Sequence, residues 1–216
     1  MKPPRQEDPP AVYTPDNEPY LGRASVLAFD RQISFSLFVN QHIAAYTQAH
    51  RDRLSAVQRA ACQIIPQGIS LALSIRELIR QGYLFAALVL MRPLIERAAM
   101  ISYILLHPDV VAVWERGWQF RERPPLSTML DAMAGSVDPQ MAKQICEEYG
   151  HIVHGDPVGA KSNLAHLGDG DVGYAVSKIL NNPALCDDIA VQGQCYLVVL
   201  SGRMMQCFPE VTPPER

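Results

Sequence analysis

The sequence YLFAALVLMRPLIERAAMISYILL, at residues 83–106, is almost wholly apolar and limits the classes of structure that the chain can adopt. It is long enough to cross a bilayer, but Arg92, Glu96 and Arg97 lie near its centre, where charge is costly in hydrocarbon. A helix of a soluble protein is apolar on nearly all sides when other helices surround it. We therefore predict that this segment is the central helix of a bundle in a soluble protein, with no membrane partner.

The sequence on both sides of this segment repeats its apolar residues at the period of helices. They recur at steps of three and four from residue 25 to 50 and from 53 to 80, and Gly82 is an end signal. Pro66 and Gly68 are expected to kink or divide the second of these helices. Further helices are predicted at 108–118, 127–133, 139–154, 172–180 and 184–207. No segment alternates apolar and polar residues long enough to predict a sheet, so the fold class is all-α, an antiparallel helical bundle.

Both ends of the chain are rich in proline. Residues 1–21 hold six prolines among polar and charged residues, a composition that buries too little apolar surface to offset the entropy of ordering. We predict a disordered or arm-like tail at 1–21, a single helical-bundle domain at 22–208 and a C-terminal tail at 209–216. The segment 155–173, rich in Gly and Asp, is predicted to be a long loop of the kind that often carries function.

Charge and cysteine content exclude several classes of function. A net charge of −3 gives no general basic field for binding nucleic acid irrespective of sequence, so any contact with RNA has to be local. The five cysteines are odd in number and contain no C-x-x-C pair, which predicts neither a disulfide framework nor a zinc knuckle. The chain begins without an apolar signal segment, and we expect a cytoplasmic protein.

Four polar residues stand out on otherwise apolar helices: Arg92, Glu96, His151 and His154. Arg92 and Glu96 are one helical turn apart and can pair on one face, either as a structural ion pair or as part of an active site. Helical spacing puts Glu147, His151 and His154 on another stripe. Histidines beside a carboxylate suit general acid–base catalysis, and the alternative is a solvated helix end.

Two further patterns have alternative interpretations. Glu148 and His151 match the Glu-x-x-His element that helical bundles use in pairs for di-iron sites, and with Glu96 they would form a metal site, although the second copy is missing. Trp114 and Trp118 lie one turn apart near several arginines. They either stack on nucleic-acid bases or pack against the bundle or a dimer partner.

Two elements within residues 55–160 resemble a known family. The first is a helix ending in Gly82-Tyr83, followed by an L-x-R-x-x-x-E helix that holds Arg92 and Glu96. The second is a tyrosine followed by histidine near glycine and proline, as in the sequence YGHIVHGDP at 149–157. Both are similar to a bacterial family of helical proteins, the domain of unknown function 5677, which is related to abortive-infection and HEPN-like bundles.

The resemblance implies an activity and a set of roles. Many HEPN-like proteins are metal-independent ribonucleases of toxin–antitoxin and phage-defence systems, and they act as homodimers without a cofactor. In this chain no arginine lies four to six residues before His151 or His154, so Arg92 would supply the cation from a neighbouring helix. His154 or His151 would act as base or acid, Arg92 would stabilise the charge of the phosphorane, and Glu96 would orient Arg92 or a histidine.

Three hypotheses follow from the sequence. The first is a HEPN-like ribonuclease or toxin component that acts on RNA, with an antitoxin or another protein as a further partner. The second is a non-catalytic helical interaction or regulatory protein, a dimeric scaffold in which Arg92 and Glu96 are structural and the proline-rich arm binds a partner. The third is a metalloprotein that uses Glu148, His151 and Glu96.

Overall fold

The computed structural model describes residues 18–119, 121–160, 164–168, 171–174 and 178–211, and they form an all-α helical bundle, which confirms the predicted fold class. Two 3-10 turns, at Arg51–Arg53 and Pro108–Val110, join helices. The helices are α1 (Ala24–Ala49), α2 (Ala56–Gln81), α3 (Leu84–Leu106), α4 (Val111–Glu115), α5 (Leu126–Asp131), α6 (Pro139–Val153), α7 (Pro157–Ala160) and α8 (Pro183–Cys207).

Helix α3 is the central element, as predicted. It packs against α2, α8, α5 and α6, and most of its apolar side chains are fully buried. Its three charged side chains, Arg92, Glu96 and Arg97, are only partly buried. Within the described ranges, no helix combines the length and the apolar character needed to cross a membrane.

Helix α2 begins and ends at local sequence signals, but it continues through an internal proline. Ser55 caps its first turn by accepting a hydrogen bond from the backbone of Gln58, whose side chain in turn accepts from the Ser55 backbone. Of the kink or division predicted at Pro66 and Gly68, the division is wrong, because the helix continues through both residues among buried neighbours such as Ile65 and Ile69. At its end Gly82 adopts a φ of +82°, a conformation that side chains disfavour, and reverses the chain into α3.

The direction of the last helix distinguishes this bundle from a simple up-and-down arrangement. Helices α1, α2 and α3 are antiparallel to their neighbours in sequence, as short connections require. Helix α8 instead runs parallel to α1. Arg23 bonds to Asp187, and Ser36 bonds to Ser201, so the partners are separated by 164 and 165 residues, a nearly constant offset. The long segment between α3 and α8 gives the chain room to return to the starting end.

A small antiparallel hairpin, β1 (Leu164–Gly168) and β2 (Asp171–Tyr174), lies between α7 and α8. The predicted loop at 155–173 is therefore partly α7 and hairpin, and the predicted helix at 172–180 is wrong, because its first residues belong to β2. The sequence Asp169-Gly170, which lies between the two strands in the chain, is a hairpin-turn signal that the helix prediction did not use.

Both ends of the bundle reach beyond the predicted domain limits. Glu18 and Tyr20 fall within the predicted tail, yet Glu18 lies 2.8 Å from Arg76 and the Tyr20 hydroxyl donates to the carbonyl of Ile179. After α8, Glu210 accepts from the side chain of Gln58. The remainder of the two predicted tails, residues 1–17 and 212–216, lies outside the described residues.

The contact between α1 and α8 can be tested with two matched glycine substitutions. A Cβ added at Gly193 would lie 2.9 Å from the buried ring of Phe29, whereas one added at Gly202 on the same helix meets nothing within 4 Å. We expect Gly193→Ala to lower the free energy of unfolding by about 1–2 kcal/mol through overpacking. Gly202→Ala should raise it by about 0.5–1 kcal/mol, since alanine favours a helix. Urea titrations of both variants measure the difference, and equal effects would contradict the close approach.

Candidate functional site

An open cleft of about 460 Å³ lies where α3, α5 and α6 meet. Three of the four predicted site residues, Arg92, His151 and His154, line it together. The fourth, Glu96, lines a different cavity and touches the cleft only through Arg92. The other residues at the cleft surface are Leu126, Ser127, Leu130, Lys143, Cys146, Glu147, Gly150 and Asp156.

The guanidinium group of Arg92 is held from two sides. Its Nε donates to Oε1 of Glu96 at 3.3 Å, one turn further along α3, as the spacing predicted. On the other side it lies against α6 at Gly150, where an added Cβ would be only 2.6 Å from Nη1 of Arg92. The missing side chain at Gly150 therefore gives the guanidinium its place between the two helices.

The imidazole of His151 has a carboxylate partner that sequence reasoning did not identify. Helix α6 ends at Val153, Gly155 follows with a φ of +67°, and the backbone N–H of Asp156 donates to the carbonyl of His151 at 2.9 Å. This turn brings Oδ2 of Asp156 to 3.1 Å from Nδ1 of His151. A carboxylate at Nδ1 favours the tautomer with its proton there, which leaves Nε2 with a lone pair.

His154 is placed differently from His151. It is the residue that ends α6, and its side chain is exposed at the rim of the cleft. Within the part of the chain that the structure describes, its imidazole makes no hydrogen bond or ion pair. The cleft thus contains one histidine fixed by a carboxylate and one that is available to a ligand.

Lys143 is a second cation of the cleft that the sequence interpretation missed. Its Nζ lies 2.7 Å from Oδ1 of Asp131, at the end of α5. Lys143, Glu147 and His151 are spaced at steps of four on α6, so extending the predicted stripe by one turn beyond Glu147 would have found it. The cleft therefore combines Arg92 and Lys143 with two imidazoles and with the carboxylates of Glu147 and Asp156.

The floor of the cleft is apolar and unreactive. Cys146 is buried there, and burial raises the pKa of its thiol to about 11, so the sulfur stays protonated at neutral pH. Behind it, burial also raises the pKa of Tyr149, whose hydroxyl donates to Oε1 of Gln192 on α8 at 2.7 Å. Tyr149 is thus an anchor that fixes α6 against the bundle.

The metal hypothesis lacks a ligand set. Among the described residues, no group of three or more His, Cys, Asp or Glu side chains is arranged to hold a metal ion. Of the predicted ligands, Glu148 is exposed on α6 and Glu96 faces the cavity on the far side of Arg92.

Comparison with protein-family models, curated proteins and solved structures found no match to this chain. The geometry of the cleft is therefore the ground on which a function can be proposed.

The packing of Arg92 against α6 predicts the effect of Gly150→Ala. The new methyl group would overlap Nη1 of Arg92, and a flexible side-chain end moves more easily than a helix backbone. We expect the guanidinium to leave its position while the free energy of unfolding changes by less than about 1 kcal/mol, since alanine favours the helix. The Nε–H resonance of Arg92 in an NMR spectrum of labelled protein reports the displacement.

Gly202→Ala is the matched control, because it adds the same methyl group to a helix where nothing lies within 4 Å. It should leave the Arg92 resonance unchanged. An Arg92 resonance that is also unchanged in Gly150→Ala would contradict the close contact.

Proposed function

We propose that the cleft between α3, α5 and α6 is the active site of a metal-independent ribonuclease. The observation that carries the proposal is that Arg92, His151 and His154 line one open cleft. Arg92 can therefore act beside the histidines from a neighbouring helix, although no arginine lies four to six residues before either histidine. Two imidazoles provide a base and an acid, and Arg92 and Lys143 provide positive charge for a phosphate.

The reaction proposed for this cleft is a transesterification, in which the 2′-hydroxyl of a ribose attacks the phosphorus of the adjacent phosphodiester. Nε2 of His151 takes the proton of the 2′-hydroxyl, because Asp156 holds the proton of the ring on Nδ1. The 2′-oxygen then forms a bond to phosphorus, and the bond to the 5′-oxygen breaks. Protonated His154 gives its proton to that oxygen, so the products are a 2′,3′-cyclic phosphate and a 5′-hydroxyl.

The remaining groups position and stabilise. Arg92 offers its guanidinium to the oxygens of the phosphorane, where negative charge accumulates. Glu96 receives a hydrogen bond from Arg92 Nε and so fixes the plane of that group, which is the orienting role implied by the resemblance. Cys146 takes no part as a nucleophile, since burial raises the pKa of its thiol to about 11.

One observation favours the alternative, a non-catalytic helical protein. Arg92 is paired with Glu96 and packed against Gly150, which is also what a structural ion pair between two helices requires. In that case the cleft would bind no RNA, and loss of Arg92 would affect stability alone. The activity of variants distinguishes the two functions.

A homodimer formed through α8 is part of the proposal. Val191, Cys195, Val198 and Met205 are exposed on one stripe of this helix, at steps of four, three and seven residues, the period of helix pairing. The stripe has Asp188 at its beginning and is flanked by Arg203 near its end. Two antiparallel copies of α8 would bring each aspartate towards the arginine of the other copy, so the face is complementary to itself.

The biological setting rests on the sequence resemblance. A toxin or phage-defence role in the cytoplasm, with an antitoxin as partner, is the setting of the HEPN-like ribonucleases that the chain resembles. The five cysteines are all free thiols, which suits a reducing compartment.

Cleavage of RNA in excess chelator tests the activity. The wild type should convert single-stranded RNA to fragments with 2′,3′-cyclic phosphate ends, and His151→Ala, His154→Ala and Arg92→Ala should each lower the rate by about 100-fold or more, as loss of an acid, a base or a charge-stabilising group does. The fragments and their ends can be identified by mass spectrometry.

Matched controls exist on other surfaces. His107→Ala removes an exposed histidine at the end of α3, and Arg31→Ala removes an exposed arginine of α1. Both should cleave RNA at the wild-type rate. If wild-type protein leaves RNA intact, or if the control variants lose as much activity as the site variants, the ribonuclease proposal is wrong.

The proposed dimer predicts the effect of Val198→Glu. A charge in the middle of the apolar stripe should convert a dimer to a monomer, which sedimentation or light scattering detects by a halved mass. Leu73→Glu, at an exposed apolar position of α2, is the control and should remain dimeric. A wild-type chain that is monomeric at micromolar concentration would rule out this interface.

A further inference from the structure

A second cavity of about 460 Å³ lies on the other side of Glu96 from the proposed active site. Both tryptophans of the chain, Trp114 and Trp118, line it, together with Arg97 and Arg123. Glu96 forms the boundary, since Oε1 accepts from Arg92 in the cleft and Oε2 lies 3.7 Å from Nη2 of Arg123 in this cavity. We call it the tryptophan cavity.

The two indoles come together because the predicted helix at 108–118 ends early. Helix α4 stops at Glu115, and the chain turns at Gly117, which has a φ of +80° and donates to the carbonyl of Trp114 at 2.9 Å. Trp114 therefore leaves from the helix and Trp118 from beyond the turn. Each is only partly buried, so each retains ring surface that core packing does not cover.

An ion pair connects α4 to α2 beside the cavity, and the cavity carries an excess of positive charge. Glu115 pairs with Arg59 of α2 at 3.3 Å, which ties α4 to the bundle. Arg97 donates to Oε1 of Gln67, a neutral partner. Two guanidinium groups and one carboxylate thus give a formal charge of +1, and Arg123 is nearly half exposed, with Glu96 beyond hydrogen-bond distance.

Partly exposed indoles beside guanidinium groups match the chemistry of a nucleotide. A base stacks on an aromatic ring, and arginine binds the phosphate or stacks on the same base. A base within a duplex is already stacked and paired, so only an unpaired base can enter such a cavity. An aliphatic ligand would gain nothing from the arginines, and a simple anion would gain nothing from the tryptophans.

We propose that the tryptophan cavity binds an unpaired base of a single-stranded RNA whose neighbouring phosphate lies in the cleft at Arg92. The base site is inferred from the tryptophan cavity alone. The position of the neighbouring phosphate rests on the proposed ribonuclease function. Together they make the protein selective for single strands, and they give Glu96 the role of a positioning residue between the base site and the phosphate site.

Intrinsic fluorescence tests the base site without any cleavage. Because both tryptophans line the cavity, the tryptophan emission of the full chain reports on this site. A single-stranded DNA oligonucleotide, which lacks the 2′-hydroxyl and is not cleaved by the proposed reaction, should quench the emission in a saturable manner. The same sequence as a duplex should not.

Substitutions inside and outside the tryptophan cavity show whether the oligonucleotide binds there. Arg123→Gln should weaken binding of the oligonucleotide, whereas Arg116→Gln, an exposed arginine of the same segment that does not line the cavity, should bind as the wild type does. Loss of a stacking ring in Trp118→Ala should weaken binding about 5- to 100-fold by anisotropy of a labelled oligonucleotide. Trp118→Phe, which keeps a ring, should restore most of it.

The outcomes separate this inference from the proposed function. Absent quenching, equal quenching by duplex, or equal binding by Arg123→Gln and Arg116→Gln would overturn the base site, even if the wild type cleaves RNA. Saturable quenching in a protein that leaves RNA intact would support the base site and reject the ribonuclease. If both hold, Trp118→Ala should lower cleavage of single-stranded RNA and leave the chemistry of its ends unchanged.

Discussion

The structure depends on the enclosure of α3. A helix that is apolar on nearly every side has to be covered on nearly every side, and α2, α8, α5 and α6 together provide that cover. Arg92 and Glu96 are the exception, because charged groups buried without water or partners are costly. Residues of α4, α5 and α6 also line the space around these two charged side chains. The two cavities lie there.

The pair of Arg92 and Glu96 also explains why two different cavities share one boundary. Glu96 lines the tryptophan cavity, where Oε2 lies 3.7 Å from Arg123, and it reaches the cleft through its contact with Arg92. The cleft at Arg92 is lined by groups that exchange protons, whereas the tryptophan cavity is lined by aromatic faces and guanidinium groups. The proposed acid–base chemistry and the proposed base recognition call for different surfaces, and two such surfaces lie on either side of Glu96.

Periodicity predicted the long helices well because their buried faces repeat over six or seven turns. The observed bounds of α3 and α8 differ from the predictions by one residue. Short elements carry too few residues for a period to be reliable, so the helix predicted at 108–118 extends beyond Glu115, where α4 ends, and the helix predicted at 172–180 is wrong. The parallel direction of α8 was also beyond prediction, because it depends on contacts between residues that are more than 160 positions apart.

The candidate site was predictable where it follows from spacing along one helix. The pairing of Arg92 with Glu96 is of this kind. The partnership of His151 with Asp156 depends on a turn after the helix end, and the position of Arg92 depends on a glycine of another helix. A stripe shows which side chains share a face, but it does not show which neighbouring element supplies their partners.

The position of α8 has a consequence for the synthesis of the protein. This helix contacts α1, α2 and α3 but follows them in the chain, so those three helices leave the ribosome before their cover exists. Until residue 207 has emerged, an apolar face of α3 and the matching face of α1 remain without a partner. Chains of this topology favour association with chaperones or with one another while they are incomplete. The bundle thus closes only after translation of the domain has ended.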